Sequence, residues 1–151
     1  MQKLETLAAE GKINQNASIR DKQAVIINAP VEKVWSLMVD AKNWSKWNNE
    51  IHDVKIDEVK EGETFTWSLK GSKKKTKIAR VIKHELIAWV STFRGIKVAR
   101  VWKLDETDGN QTIVTCEESM QGLLTIIFGH QNLHESMLHW LEALKKEAEK
   151  S

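Results

Sequence analysis

From residue 63 to 70 apolar and polar positions alternate, with Phe65, Trp67 and Leu69 on one side and Thr64, Thr66 and Ser68 on the other. Period two marks a strand with one buried face. Further strands are predicted at 17–28, ending in Ala24-Val25-Ile26-Ile27, and at 50–59, 75–84, 86–94, 97–106 and 111–120. Turn signals separate them: Gly71-Ser72, Gly95 and the hairpin pair Asp108-Gly109. No helical period intervenes after residue 50, so the strands form an antiparallel meander and not a parallel βαβ sheet.

Helical spacing occurs in two places. Pro30 suits a first helical turn, where its missing N–H costs nothing, and Val31, Val34, Trp35 and Met38 then recur on one face over 31–39. A second short helix is expected over Asn43 to Trp47. Residues 121–149 predict a long last helix, with Leu123, Ile126, Ile127, Leu133, Met137, Leu141, Leu144 and Ala148 on one face. Phe128 points away from that face, and Gly129 suggests a break. Residues 1–16 are polar, hold a short helix at most, and read as an extension to a domain over 17–151 that should be dispensable for folding.

The length suits one domain with a core and a pocket beside it. Net charge is +2 with acids and bases interspersed, which speaks against nucleic-acid binding. The basic run Lys73-Lys74-Lys75 reads as a solvated hairpin. One cysteine, Cys116, excludes an internal disulfide and reads as a small hydrophobe. No apolar run approaches the roughly 20 residues of a membrane span, and the N-terminus lacks a signal-peptide core, so a cytoplasmic location without stable membrane insertion is expected. Seven Trp, three Phe and no Tyr suit an apolar interior or ligand wall.

The stretch Ile27-Asn28-Ala29-Pro30-Val31-Glu32-Lys33-Val34-Trp35, with Asp40 and Trp47 beyond it, resembles the opening of the START-like superfamily. Within it the chain is similar to the polyketide cyclase/dehydrase-like (SRPBCC) proteins. Arg100-Val101-Trp102-Lys103-Leu104 running to Thr112, and Glu117-Glu118-Ser119-Met120-Gln121-Gly122 before the last helix, carry the same likeness over about 19–149. The resemblance implies an α+β helix-grip fold: a curved antiparallel sheet of about seven strands around the C-terminal helix, with two short helices after the first strand. It implies a ligand cavity between sheet and helix and leaves activity open. Many relatives carry His where Arg100 stands; an inward guanidinium favours an anionic or carbonyl-bearing ligand.

His130 and His134 fall on the apolar helix face, which in this fold looks into the cavity; they are ligand contacts or satisfied core histidines. Their i, i+4 spacing is also that of a zinc pair, but Gln131 stands where the zincin motif needs Glu, and no third ligand is evident. Arg100 and Trp102 share a strand face and Glu118 is a neighbour of Arg100 across the last hairpin, unless a one-residue slip turns Glu117 inward. Such a pair is structural as readily as functional, and a carboxylate beside arginine makes a poor base. Trp67, Trp89, Phe93, Trp102, Met120, Ile127 and Met137 are candidate wall residues. Trp44 and Trp47 fall near the pocket mouth in the family pattern.

The reading that follows is a protein that holds a small hydrophobic or amphipathic molecule of lipid, polyketide or isoprenoid type, without metal or cofactor. A homodimer is left open. An alternative is a cyclase/dehydrase-like enzyme in which His130, His134 and Arg100 act, with Glu118 as a further candidate. Another is a co-chaperone or protein-interaction module of the same fold.

Overall fold

The computed structural model describes residues 3–107, 110–125 and 129–150. In chain order it holds α1 (Leu4–Ala9), β1 (Ile19–Ile27), α2 (Val31–Val39), a 3-10 helix (Ala41–Lys46), β2 (Ile51–Lys55), β3 (Thr64–Leu69), β4 (Ser72–Ile82), β5 (Leu86–Phe93), β6 (Ile96–Thr107), β7 (Gln111–Gln121) and α3 (His130–Ala148). The strands make one seven-stranded antiparallel sheet in the order β1-β7-β6-β5-β4-β3-β2. α3 lies along β1 on one face of it. This is the helix-grip architecture.

Two-residue hairpins fix the registers that matter. Lys70 (φ 50°) and Gly71 (φ 81°) join β3 to β4, and Arg94 (φ 49°) and Gly95 (φ 76°) join β5 to β6. Positive φ at both central residues gives the turn whose twist matches paired strands. β4 therefore begins at Ser72, not at residue 75, and Trp67 pairs with Lys74. The expected turn at Asp108-Gly109 lies outside the described residues; Thr107 and Gln111 pair on either side of it.

The last helix is shorter than the pattern suggested. Regular helix begins at His130, after Gly129 at φ 81°. Leu123 is not on the helix at all: it lies in a turn and is 93 % exposed. Gly122 explains the early departure. Its φ is 132°, and a Cβ there would lie 2.6 Å from the Gly95 carbonyl oxygen, so only glycine lets the chain leave the sheet so close to the β5–β6 turn. Ile126, Ile127 and Phe128 lie outside the described residues.

The N-terminal segment is not a loose appendage. α1 packs across the convex face of the sheet, on β4, β5 and β6. Ala8 and Ile13 are buried there with Ala88, Ala99 and Val101. Asn14 adds polar ties, its backbone N–H to Ser119 Oγ at 3.1 Å and its side-chain amide to Gln121 Oε1 at 2.7 Å. A few well-spaced apolar residues suffice to cover a face made of alanines and valines, which a judgement on overall polarity overlooks. Replacing Ile13 with Ala should cost about 2 kcal/mol, the low end for a buried Ile. A thermal melt checks this, and an unchanged midpoint would mean the segment contributes no packing energy.

Candidate functional site

The concave side of the sheet is built by alternation. Phe65, Trp67 and Leu69 on β3, Trp89 and Phe93 on β5, and Trp102 and Leu104 on β6 point toward α3 and are buried. Trp140 of α3 sits at the centre of an aromatic cluster. Its ring centroid lies 5.1 Å from Trp102, 5.3 Å from Trp44, 5.5 Å from Trp67 and 6.0 Å from Trp89. Most of these pairs are edge-to-face or tilted, the arrangement that ring quadrupoles favour. Met120 and Met137, also expected as wall residues, are buried in the same core.

Among the described residues three charged side chains are buried in this core: Lys74, Arg100 and Glu118. Arg100 and Glu118 pair across β6 and β7, and the Arg100 Nε–H donates to Glu118 Oε1 at 2.5 Å. Each is 2 % exposed, so Glu118 and not Glu117 faces inward. The guanidinium carbon also lies 4.9 Å from the Trp140 ring centre and 5.5 Å from that of Trp102. Burial works against the guanidinium's charge, but the Glu118 charge, Cys116 and the Glu118 hydrogen bond outweigh it, and the Arg100 pKa rises above its ordinary value. The pair is not saturated. Arg100 Nη1, Glu118 Oε2, Trp102 Nε1 and Ser136 Oγ are buried without a hydrogen-bond partner among the described residues.

Lys74 is the unexpected member. The run Lys73-Lys74-Lys75 is not a solvated hairpin but part of β4, and alternation turns Lys74 inward with Thr76 and Ile78 while Lys73 and Lys75 face solvent. The Lys74 ammonium lies 4.3 Å from the Phe93 ring centre and 5.5 Å from that of Trp67. Beside it, the Trp67 indole N–H donates to Thr76 Oγ1 at 2.8 Å, and Thr76 shares a 2.6 Å hydrogen bond with Ser91. Burial pulls the Lys74 pKa down to about 8, against the attraction of Glu118 and with the repulsion of Arg100.

That displacement is a cost to the fold. Below about pH 8 the folded and unfolded chains both carry the Lys74 proton, and the full penalty of burying the ammonium is present. Between about 8 and 10.5 only the unfolded chain carries it, so the penalty fades as pH rises. Lys74→Met should therefore raise stability at pH 7, by about 3 kcal/mol at most. The gain over wild type should shrink toward pH 10.5. Denaturant titrations of both proteins at the two pH values check it; a destabilised Lys74→Met would show that the ammonium holds the fold together.

A cleft among the described residues opens on this interior. It measures about 190 Å3 and is lined by Leu69, Lys70, Ser72, Lys74, Phe93, Asn132 and Ser136, between the β3–β4 hairpin, the end of β5 and the first turns of α3. Larger depressions of about 460 and 410 Å3 lie elsewhere, one between α1 and the outer side of β4 and β5, the other beside β1 near His130. Neither reaches Arg100 or Lys74.

The two histidines do not join Arg100. His130 is exposed, and its Nε2 lies 3.0 Å from the Arg20 carbonyl oxygen. His134 Nδ1 lies 2.9 Å from Asp21 Oδ2 and 3.1 Å from Gln23 Nε2, both on β1. The reason is the placement of the helix: α3 runs along β1, so the flank that carries His134 meets that edge strand. The opposite flank carries Ser136 and Trp140 into the interior. Among the described residues no group of three potential metal ligands forms. Cys116 is fully buried, and burial pushes its thiol up to about 12 despite Arg100, so it stays protonated and unreactive at neutral pH.

A curved sheet gripping one helix around an aromatic interior is the START-like design. The chain belongs to the family described as polyketide cyclase / dehydrase and lipid transport, whose model matches residues 19–149. The fold recurs in the hypothetical protein jhp0584 of Helicobacter pylori, with TM-score 0.81 and 16 % identity over 90 % of this chain and 91 % of that one. It recurs in a START superfamily protein of Mycobacterium smegmatis, with TM-score 0.74 and 14 % identity over 86 % and 97 %. The Zhui aromatase/cyclase of a Streptomyces species is similar with TM-score 0.74 and 16 % identity over 86 % and 93 %. Among curated proteins no sequence matches. No helix among the described residues is long and apolar enough to cross a membrane.

Proposed function

We propose that this protein binds a small amphipathic molecule at the inner end of the cleft, between the sheet and α3, with the ligand's apolar body against Phe93, Trp67 and the neighbouring indoles. The observation that carries the reading is the cleft beside Lys74: an opening lined by Leu69 and Phe93 that ends on a buried cation and a serine hydroxyl without a partner among the described residues. A buried hydroxyl and an ammonium at the end of an apolar cleft can pair with an oxygen-bearing ligand end. The cleft volume of about 190 Å3 lies below the roughly 300 Å3 of sites that enclose a whole drug-sized molecule. It suits one end of a ligand, and a larger body requires aromatic side chains to give way.

Support for a binding role over acid–base chemistry comes from the histidines. A cyclase or dehydrase step built on His130, His134 and Arg100 needs them within reach of one point. Two of the three sit against β1. The remaining carboxylate, Glu118, is hydrogen-bonded to a guanidinium.

The test is a fluorescence titration. A small apolar probe should change the emission of the buried tryptophans saturably in wild type, and Ser136→Phe, which fills the cleft from α3, should remove the response while the protein stays folded. An unaltered response in Ser136→Phe would place the binding site elsewhere.

A further inference from the structure

The buried charges of the interior do not sum to zero. Among the described residues the buried acidic and basic side chains are Lys74, Arg100 and Glu118, two basic groups against one acid. Glu118 is already committed to Arg100 through the 2.5 Å hydrogen bond. Among the described residues on the elements packed around Lys74, no other buried acid faces it: its β3 partner is Trp67, its inward neighbours Thr76 and Ser91 hydrogen-bond to each other, and α3 presents Ser136. An uncompensated charge in a dry interior is expensive, whereas a matched one beside a hydroxyl donor is a binding site.

We infer that the inner end of the cleft is an anion site, and that it selects ligands with an apolar body and a single carboxylate-like end, held between the Lys74 ammonium and the Ser136 hydroxyl. The inference rests on the ligand-binding reading above and narrows it to one head-group class. One negative charge is the complement that three features ask for. It brings the interior to neutrality. It gives Ser136 Oγ the acceptor it lacks among the described residues. It also lets the ammonium keep aromatic faces at 4.3 and 5.5 Å on its apolar side while its N–H groups turn to the cleft. Arg100, deeper in the core, adds attraction for the same anion without giving up Glu118. Lys70 at the mouth is paired with Glu50 at 3.6 Å and adds little to that attraction. A cationic or neutral head group would leave the interior with its excess charge, so selectivity arises from the protein's own charge count.

The experiment uses matched probes that share a body and differ only at the head: octanoate, octanol and octylammonium, and naphthoate with naphthol. Each is titrated into wild type, Lys74→Met and Ser136→Ala at pH 7, with tryptophan emission and heat as readouts. Wild type should bind each carboxylate at least ten-fold more tightly than its alcohol and should not bind octylammonium. Lys74→Met should lose most of that preference. Ser136→Ala should lose part of the preference, about three- to ten-fold. Equal affinity for acid and alcohol in wild type overturns the anion site while leaving the ligand-binding reading intact. A carboxylate preference that survives undiminished in Lys74→Met also overturns it, by placing the anion elsewhere. If no probe of any head group binds wild type, the ligand-binding reading fails and the anion site fails with it. Circular dichroism of each variant establishes that it is folded before the affinities are compared.

Discussion

Glu118→Leu should destabilise the protein by about 3–5 kcal/mol, the cost of leaving a buried cation without its counter-ion. The expected effect is large because Arg100 has no escape. Its guanidinium is 2 % exposed and cannot reach water, and an arginine side chain does not give up its proton in a protein. The neighbouring Trp102 and Trp140 rings offer it only their faces. Lys74 would then be a second uncompensated cation in the same core. The double variant Arg100→Met/Glu118→Leu should recover most of the loss, since replacing both members of a buried pair by apolar groups is often neutral or better. Equilibrium unfolding in denaturant measures all three proteins. A single variant within about 1 kcal/mol of wild type would mean that water or another acid already serves the guanidinium.

Trp140→Ala should cost about 3–5 kcal/mol, as large-to-small changes at buried aromatic sites do. Trp140 is the one α3 residue whose ring approaches Trp44, Trp67, Trp89 and Trp102 together, so its loss opens a cavity bounded by the 3-10 helix, β3, β5 and β6 at once. It also uncovers one face of Arg100. The same unfolding experiment reads the effect, and near-ultraviolet circular dichroism reads the loss of indole coupling. A small cost would show that the cluster is loosely packed and that the interior is already a cavity.

The sequence carried much of this arrangement, and its failures have physical causes. Strict alternation in β3 made Trp67 inward without ambiguity. Arg100 and Glu118 were readable as neighbours across a hairpin, but the face was not, because a slip of one residue exchanges Glu118 for Glu117. Lys74 was hidden by its company: three lysines in a row read as solvent. The recoverable signal was the hairpin itself, since a two-residue turn at Lys70-Gly71 pairs Lys74 with Trp67 and so puts both on one face. Trp140 lies three residues after Met137 and four before Leu144, well within the apolar face, and was eclipsed by the two histidines. Periodicity placed those histidines on a helix face but could not say which strand lies beneath it. That depends on how α3 crosses the sheet, and here it follows β1, whose Asp21 and Gln23 take up His134.

The reading gives Lys74 a double role. It lowers the stability of the empty fold and supplies the recognition element of the loaded one, the exchange of stability for function that strained or charged sites show elsewhere. Its local environment makes the point chemically: an ammonium with a pKa near 8 is charged at neutral pH, and a carboxylate beside it would raise that pKa again. Binding should accordingly draw a proton from solution near pH 8.

A carboxylate-ended apolar molecule is expected to enter the space between the sheet and α3. The most direct measurement is the set of indole N–H resonances in a proton–nitrogen correlation spectrum during an octanoate titration, assigned by single Trp→Phe variants. The account predicts saturable shifts for Trp67 and Trp102, whose Nε1 atoms lie in the interior, and little change for Trp35, which packs instead against His84, or for half-buried Trp47. No saturable shift at Trp67 or Trp102, or shifts confined to Trp35 and Trp47, would contradict it.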